Sequence, residues 1–193
     1  MANTGSKEKL SFAAEMFEWL EMIIISACVV LLAFNFMIRP AMVDGASMEN
    51  TLHHKELLLV SDMFFEPERG DIIVFQKIDC ERHSQPIVKR VIATEGETID
   101  IDFDTWEVTI TDRDGNTFIL DESDYRKLAL DQRVTSNLTY PITLGKDELF
   151  VMGDNRNHSL DSRDSSLGIV KENEIIGKVL CRAFPFDKFE FFN

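Results

Sequence analysis

An uncharged run, MIIISACVVLLAFNFMI at residues 22–38, constrains the chain more than any other feature. As an α-helix it extends roughly 25 Å at about 1.5 Å per residue, slightly short of a bilayer core. Phe17, Trp19 and Leu20 lengthen it by a turn, Trp19 suits a membrane interface, and Arg39-Pro40 marks the far end. The run predicts one membrane-spanning helix over residues 19–39, behind a short N-terminal tail at 1–18. Two rival readings are a cleaved secretory signal and a buried helix. Signal cores are shorter, about 7–15 residues, and here Glu15, Glu18 and Glu21 stand just before the run. Lys7 and Lys9 on one side balance Arg39 and Lys55 on the other, so loop charge assigns no orientation.

The remaining residues, 40–193, are enough for one domain. Acidic side chains outnumber basic ones 34 to 20, for a net charge of −14. Such a surface repels phosphate backbones, so no nucleic-acid partner is expected, and any hold on lipid must be hydrophobic. Three cysteines (Cys28, Cys80, Cys181) form no CxxC pair, and four histidines show no ligand spacing. Neither a metal nor another cofactor is expected. Whether Cys80 and Cys181 meet is left open.

After residue 56 the pattern turns to strands. Leu57–Val60, Asp71–Phe75, Ile87–Thr94 and Thr98–Phe103 are short runs rich in branched residues. Trp106–Thr111 and Thr117–Leu120 flank Asp112-Arg113-Asp114-Gly115, a hairpin signal. Residues 121–133 read as a short helix or polar excursion, within an expected insertion at 121–146. Leu149–Met152 and Ile175–Ala183 return to strand character. The phenylalanine-rich end, residues 183–193, reads either as a final strand packed inward or as a membrane-touching tail. The expectation is a mainly β domain of antiparallel sheet on one N-terminal transmembrane helix.

Four segments carry candidate chemistry: Gly45-Ala46-Ser47-Met48-Glu49-Asn50-Thr51-Leu52, Arg69–Phe75, Val88-Lys89-Arg90-Val91-Ile92, and Gly153–Arg163. Taken singly each has an ordinary explanation. Ser47 suits a solvated turn, Lys89 an edge strand that resists aggregation, and GDNRNHS a turn held by an Asp–Arg pair. By strand alternation, however, Lys89 shares a face with Ile87 and Val91, an odd place for a solvated lysine.

Together the segments resemble bacterial type I signal peptidase, a membrane-bound serine protease with a Ser–Lys dyad, and they do so in the family's order behind an anchor in the family's place. Ser47-Met48-Glu49-Asn50-Thr51-Leu52 resembles the SMxPTL motif, Lys89-Arg90-Val91 its KRV, and Gly153–Arg163 matches GDNRxxSxDSR at every specified position. Asn50 replaces the usual proline, giving up its fixed φ, and Ala93-Thr94-Glu95-Gly96-Glu97 departs from the family's GLPGD.

The resemblance implies Ser47 as nucleophile and Lys89 as general base, with Ser159 orienting the amine. It also implies that Arg90–Asp154 and Asp161–Arg163 are bracing ion pairs. It assigns Gly45, Ser47 and Met48 to the oxyanion and substrate-binding side, with the Ser47 N–H as oxyanion donor. Many relatives carry a serine where this chain has Gly45. A lysine with an ordinary pKa of about 10.4 is almost wholly protonated at pH 7, so the base needs burial to lower it. The implied substrates are the signal peptides of exported preproteins, cut on the outer face of the cell membrane close to the secretion translocon. Ser47 is eight residues past Arg39, so it lies at most roughly 26–29 Å from the helix end. A degenerate relative serving surface or pilus assembly is the non-enzyme alternative.

Overall fold

The computed structural model describes residues 4–63, 65–77, 85–128 and 136–192, without the side chains of 4–13 and 33–36. The chain forms two compact units, residues 1–39 and 40–193.

The first unit is one helix, α1 (Thr4–Met37). Pro40 lies just past its end, where it cannot continue a helix. Its side chains from residue 14 to 32 are exposed, among them Phe17, Trp19, Ile23, Ile25 and Leu31. Among the described residues no helix is long and apolar enough to cross a membrane. Within residues 14–32 the three glutamates Glu15, Glu18 and Glu21 interrupt the apolar stretch. The span expected over 19–39 is thus not met within the described residues.

The second unit is mainly β. In chain order it contains β1 (Arg39–Met42), β2 (Leu57–Ser61), β3 (Ile72–Phe75), β4 (Ile87–Ala93), β5 (Thr98–Ile101), β6 (Val108–Thr111) and β7 (Thr117–Ile119). Then follow β8 (Ile142–Thr143), β9 (Glu148–Met152), β10 (Val170–Lys171), β11 (Ile175–Phe184) and β12 (Glu190–Phe191). The larger sheet runs β1-β2-β11-β3-β4-β9-β10, with β12 also on β11, and a four-stranded sheet runs β7-β6-β5-β8. The strand pairs with a described register are antiparallel, as expected from a chain of short strands joined by tight turns.

Burial follows strand alternation. Ile72 and Val74 of β3 pack with Val43, Met48, Leu52, Leu58, Val60 and Val179. Ile73 and Phe75, pointing the other way, pack with Val91, Leu149, Val151, Leu167 and Val170. A third cluster joins the sheets, setting Ile99, Ile101, Val108 and Ile110 against Ile92, Phe150 and Met152. Met48 and Leu52 are fully buried, and this fixes the turn between them to the larger sheet. At about 25 cal/mol per Å² of apolar surface, each side chain of that size contributes about 1.5–3 kcal/mol.

The C-terminal end divides the two readings made of it. β12 pairs with β11, and Phe192 packs against the Met48 cluster. Phe184, Phe186, Phe189 and Phe191 stay exposed, in edge-to-face pairs 5.5 and 5.0 Å apart. The described part of the polar excursion, residues 121–128, is turn and loop with no helix, joined to Asn155 by a parallel bridge at Lys127. Residues 129–135 and Cys80 lie outside the described residues; Cys181 is buried in β11.

Candidate active site

Ser47 sits in the turn that follows β1. The Glu49 N–H donates to the Ala46 carbonyl and the Leu52 N–H to the Met48 carbonyl, closing the turn around it. Gly45 enters this turn at φ +95°, a conformation that side chains rarely adopt and glycine takes freely. Lys89 projects from β4 and is 3% exposed. Its Nζ lies 2.7 Å from Ser47 Oγ and donates to the Val88 carbonyl at 3.0 Å. The two side chains, 42 positions apart in sequence, meet at the floor of a cleft of about 370 Å³ lined by Met42, Val43, Met48, Ile87 and Val88.

Burial dominates the electrostatics of the lysine. It lowers the pKa from the ordinary 10.5 to about 8, against the pull of Asp161 and Asp154, while Arg163 lowers it further. The neutral amine is therefore accessible near neutral pH. In that state the short contact reverses, with the Ser47 hydroxyl donating to Nζ, as proton removal requires.

The Gly153–Arg163 loop lies behind the pair. Arg90 grips Asp154 with two bonds, Nε to Oδ1 at 2.9 Å and Nη2 to Oδ2 at 2.8 Å, and donates Nη1 to the Gly70 carbonyl at 2.8 Å. The Thr51 hydroxyl donates to Asp154 at 2.5 Å. Arg163 likewise holds Asp161 through two bonds of 2.7 Å, and Asp161 accepts the Gly153 N–H at 2.9 Å. Burial pushes the Asp161 carboxyl up, but Arg163 and the Gly153 N–H outweigh it and hold the pKa below the usual carboxylate range. Gly153 has no room for a side chain, because a Cβ would strike Ser159 and the Ser47 carbonyl oxygen.

Ser159 is brought to the site, but its buried Oγ serves the Asp161 carboxylate, whose pKa it helps to lower, rather than the Lys89 amine. The lysine amine bonds to Ser47 and Val88 instead. Met48 is buried beside the cleft, and Gly45 donates its N–H to His54 Nδ1 at 3.3 Å. His158 approaches the Asn155 side chain at 3.4 Å. Among the described residues no group of His, Cys, Asp and Glu is arranged to hold a metal ion.

Sequence reasoning passed over three contributors. Asn155 donates its backbone N–H to the Ser47 carbonyl and its side-chain amide to the Ala46 carbonyl, both at 3.0 Å. Thr51 completes the Asp154 shell. Both lie inside the matched motifs, and that position was the available signal. The third is Glu122, which no motif marks. It is buried against Arg156, with bonds of 2.8 and 2.5 Å.

A family model described as signal peptidase, peptidase S26, matches residues 16–184. The chain belongs to that family. Similar curated relatives include signal peptidase I of Bacillus amyloliquefaciens, 35% identical over 88% of this chain and 86% of the relative. Signal peptidase I of Bacillus licheniformis is 33% identical over 90% and 91%, and signal peptidase I T of Bacillus subtilis 33% over 89% and 86%. A crystal structure of a signal peptidase I from Enterococcus faecalis is 30% identical, covers 59% of this chain and 97% of its own, and superposes with a TM-score of 0.43.

Proposed function

We propose that this family member is a membrane-bound serine endopeptidase that removes signal peptides from exported preproteins, with Ser47 as nucleophile and Lys89 as general base. The observation that carries the reading is the 2.7 Å contact between Ser47 Oγ and a lysine amine that is almost wholly buried in a cleft. Neutral Lys89 takes the Ser47 proton as Oγ attacks the scissile carbonyl carbon. The protonated amine then gives that proton to the departing nitrogen, and the acyl-enzyme is opened by a water that Lys89 deprotonates. The Ser47 N–H is the proposed oxyanion donor. Asp154, Asp161, Arg90 and Arg163 act as braces, and Ser159 orients the amine once substrate enters.

The uncharged run and the exposed apolar side chains of α1 support residues 19–39 as a membrane anchor, and the family resemblance orients it with 1–18 in the cytoplasm and 40–193 on the outer face. Substrates held in the same bilayer near the translocon gain effective concentration without further contacts. An accessory role without catalysis is disfavoured, because Ser47 and Lys89 are both present and in contact.

The test is cleavage of a model preprotein in lipid by wild type, Ser47→Ala and Lys89→Ala, with folding matched by circular dichroism. Both variants should be inactive. Strong residual cleavage by either would remove that residue from the mechanism.

A further inference from the structure

We infer that Glu122 is a positioning residue for the nucleophile, acting through Arg156 and Asn155 to set the direction of the Ser47 N–H. The inference rests on Ser47 being the nucleophile. Glu122 comes from the polar stretch between β7 and β8 of the four-stranded sheet, outside all four motifs, where a solvated carboxylate is the ordinary expectation. Instead it is 3% exposed and Arg156 is 0% exposed. Burying a charge pair is costly, and such pairs are weak evidence for stability alone.

The contacts beyond this pair lead to the reacting serine. Arg156 Nη1 and Nη2 donate to the Glu122 carboxylate, and Nε donates to the Gly153 carbonyl at 3.0 Å. The Lys127 N–H donates to the Asp154 carbonyl at 2.8 Å, and the Arg156 N–H to the Lys127 carbonyl at 2.9 Å. Residues 153–156 are thereby held from both sides. Between these fixed points Asn155 reaches over the nucleophile turn and bonds the carbonyls of Ala46 and Ser47. The Ala46 carbonyl and the Ser47 N–H belong to one planar peptide, so fixing the first aims the second. Tyr125, three residues after Glu122, stacks on the Arg90 guanidinium at 4.1 Å and extends the brace to Asp154.

A donor that must meet a developing oxyanion is sensitive to its support, and a misplacement of about 1 Å can cost about a hundredfold in rate. The experiment compares wild type, Glu122→Gln, Glu122→Gln/Arg156→Gln and Ser47→Ala on a model preprotein. The double variant leaves no fully buried charge unpaired, and Arg126, which also pairs with Glu122, is partly exposed and keeps its bond to the Trp106 carbonyl, so the test stays valid if the single variant folds poorly. Expected per folded molecule is a kcat lowered about 10- to 100-fold, with KM within about twofold of wild type and the alkaline activity limb unmoved. A purely structural role would reduce the amount of folded enzyme and leave kcat unchanged. Wild-type kcat in either folded variant, with Ser47→Ala inactive, overturns the inference alone. An active Ser47→Ala overturns the nucleophile reading on which it stands.

Discussion

Lys89 and Arg90 are consecutive on β4 and both lie largely out of solvent, yet their surroundings follow opposite rules. Arg90 is saturated: a carboxylate takes two of its bonds, a carbonyl a third, and an aromatic ring lies against its face. Lys89 is starved: among the described residues its contacts are one hydroxyl and one carbonyl, and no carboxylate touches it. The first environment clamps a guanidinium in place, and the second lowers the lysine's pKa to about 8. Burial alone does not decide a cation's role; the partner supplied with it does.

The contrast breaks most easily on the arginine side. Replacing Asp154 by alanine leaves a buried guanidinium without its counter-charge, which should cost about 3–5 kcal/mol in a urea melt. A cost below about 1 kcal/mol would mean that Arg90 is held by its other contacts.

On the lysine side the effect should reverse. Lys89→Met should destroy activity and raise stability. The folded-state pKa falls from 10.5 to about 8. At about 1.4 kcal/mol per pKa unit this corresponds to about 3 kcal/mol. Below about pH 8 both folded and unfolded chains carry the charge, and the wild type bears the full penalty. Between about 8 and 10.5 only the unfolded chain is protonated, so wild-type stability climbs with pH. The advantage of Lys89→Met should be largest below pH 8 and gone above about 10.5, read from melts across that range. A pH-independent difference would show that the amine is not desolvated.

The smallest effect sharpens the assignment of the base. kcat/KM should rise with pH through about 8, as the Lys89 amine loses its proton in the free enzyme. His158→Asn should leave that limb in place, because His158 faces Asn155 and not Ser47. A limb that vanishes in His158→Asn would move the base to the histidine.

The strands legible in the sequence were those with at least three branched or aromatic residues in a run, from Leu57 to Phe184. β8, β10 and β12 are two residues long and carry no periodicity, and β1 was hidden because Arg39-Pro40 reads as the stop of a helix. The motif segments could be picked out one by one, and their meeting around one cleft needed the fold. Glu122 was illegible for a physical reason. Its closest partner, Arg156, is 34 residues away, and the i,i+4 pair with Arg126 inside DESDYRK is as common on a wet carboxylate as on a buried one. Ser159 shows the converse, since a motif fixes its identity while its hydroxyl sits by Asp161 and the Lys89 amine bonds Ser47 and Val88.

The lysine's pKa of about 8 has a consequence for the cell. With the catalytic unit on the outer face, as proposed, the working fraction of enzyme follows the surrounding medium. About one molecule in ten carries a free amine at pH 7, and about one in a hundred at pH 6. A bacterium that acidifies its surroundings would slow the maturation of its own secreted proteins, with no regulator needed beyond the proton.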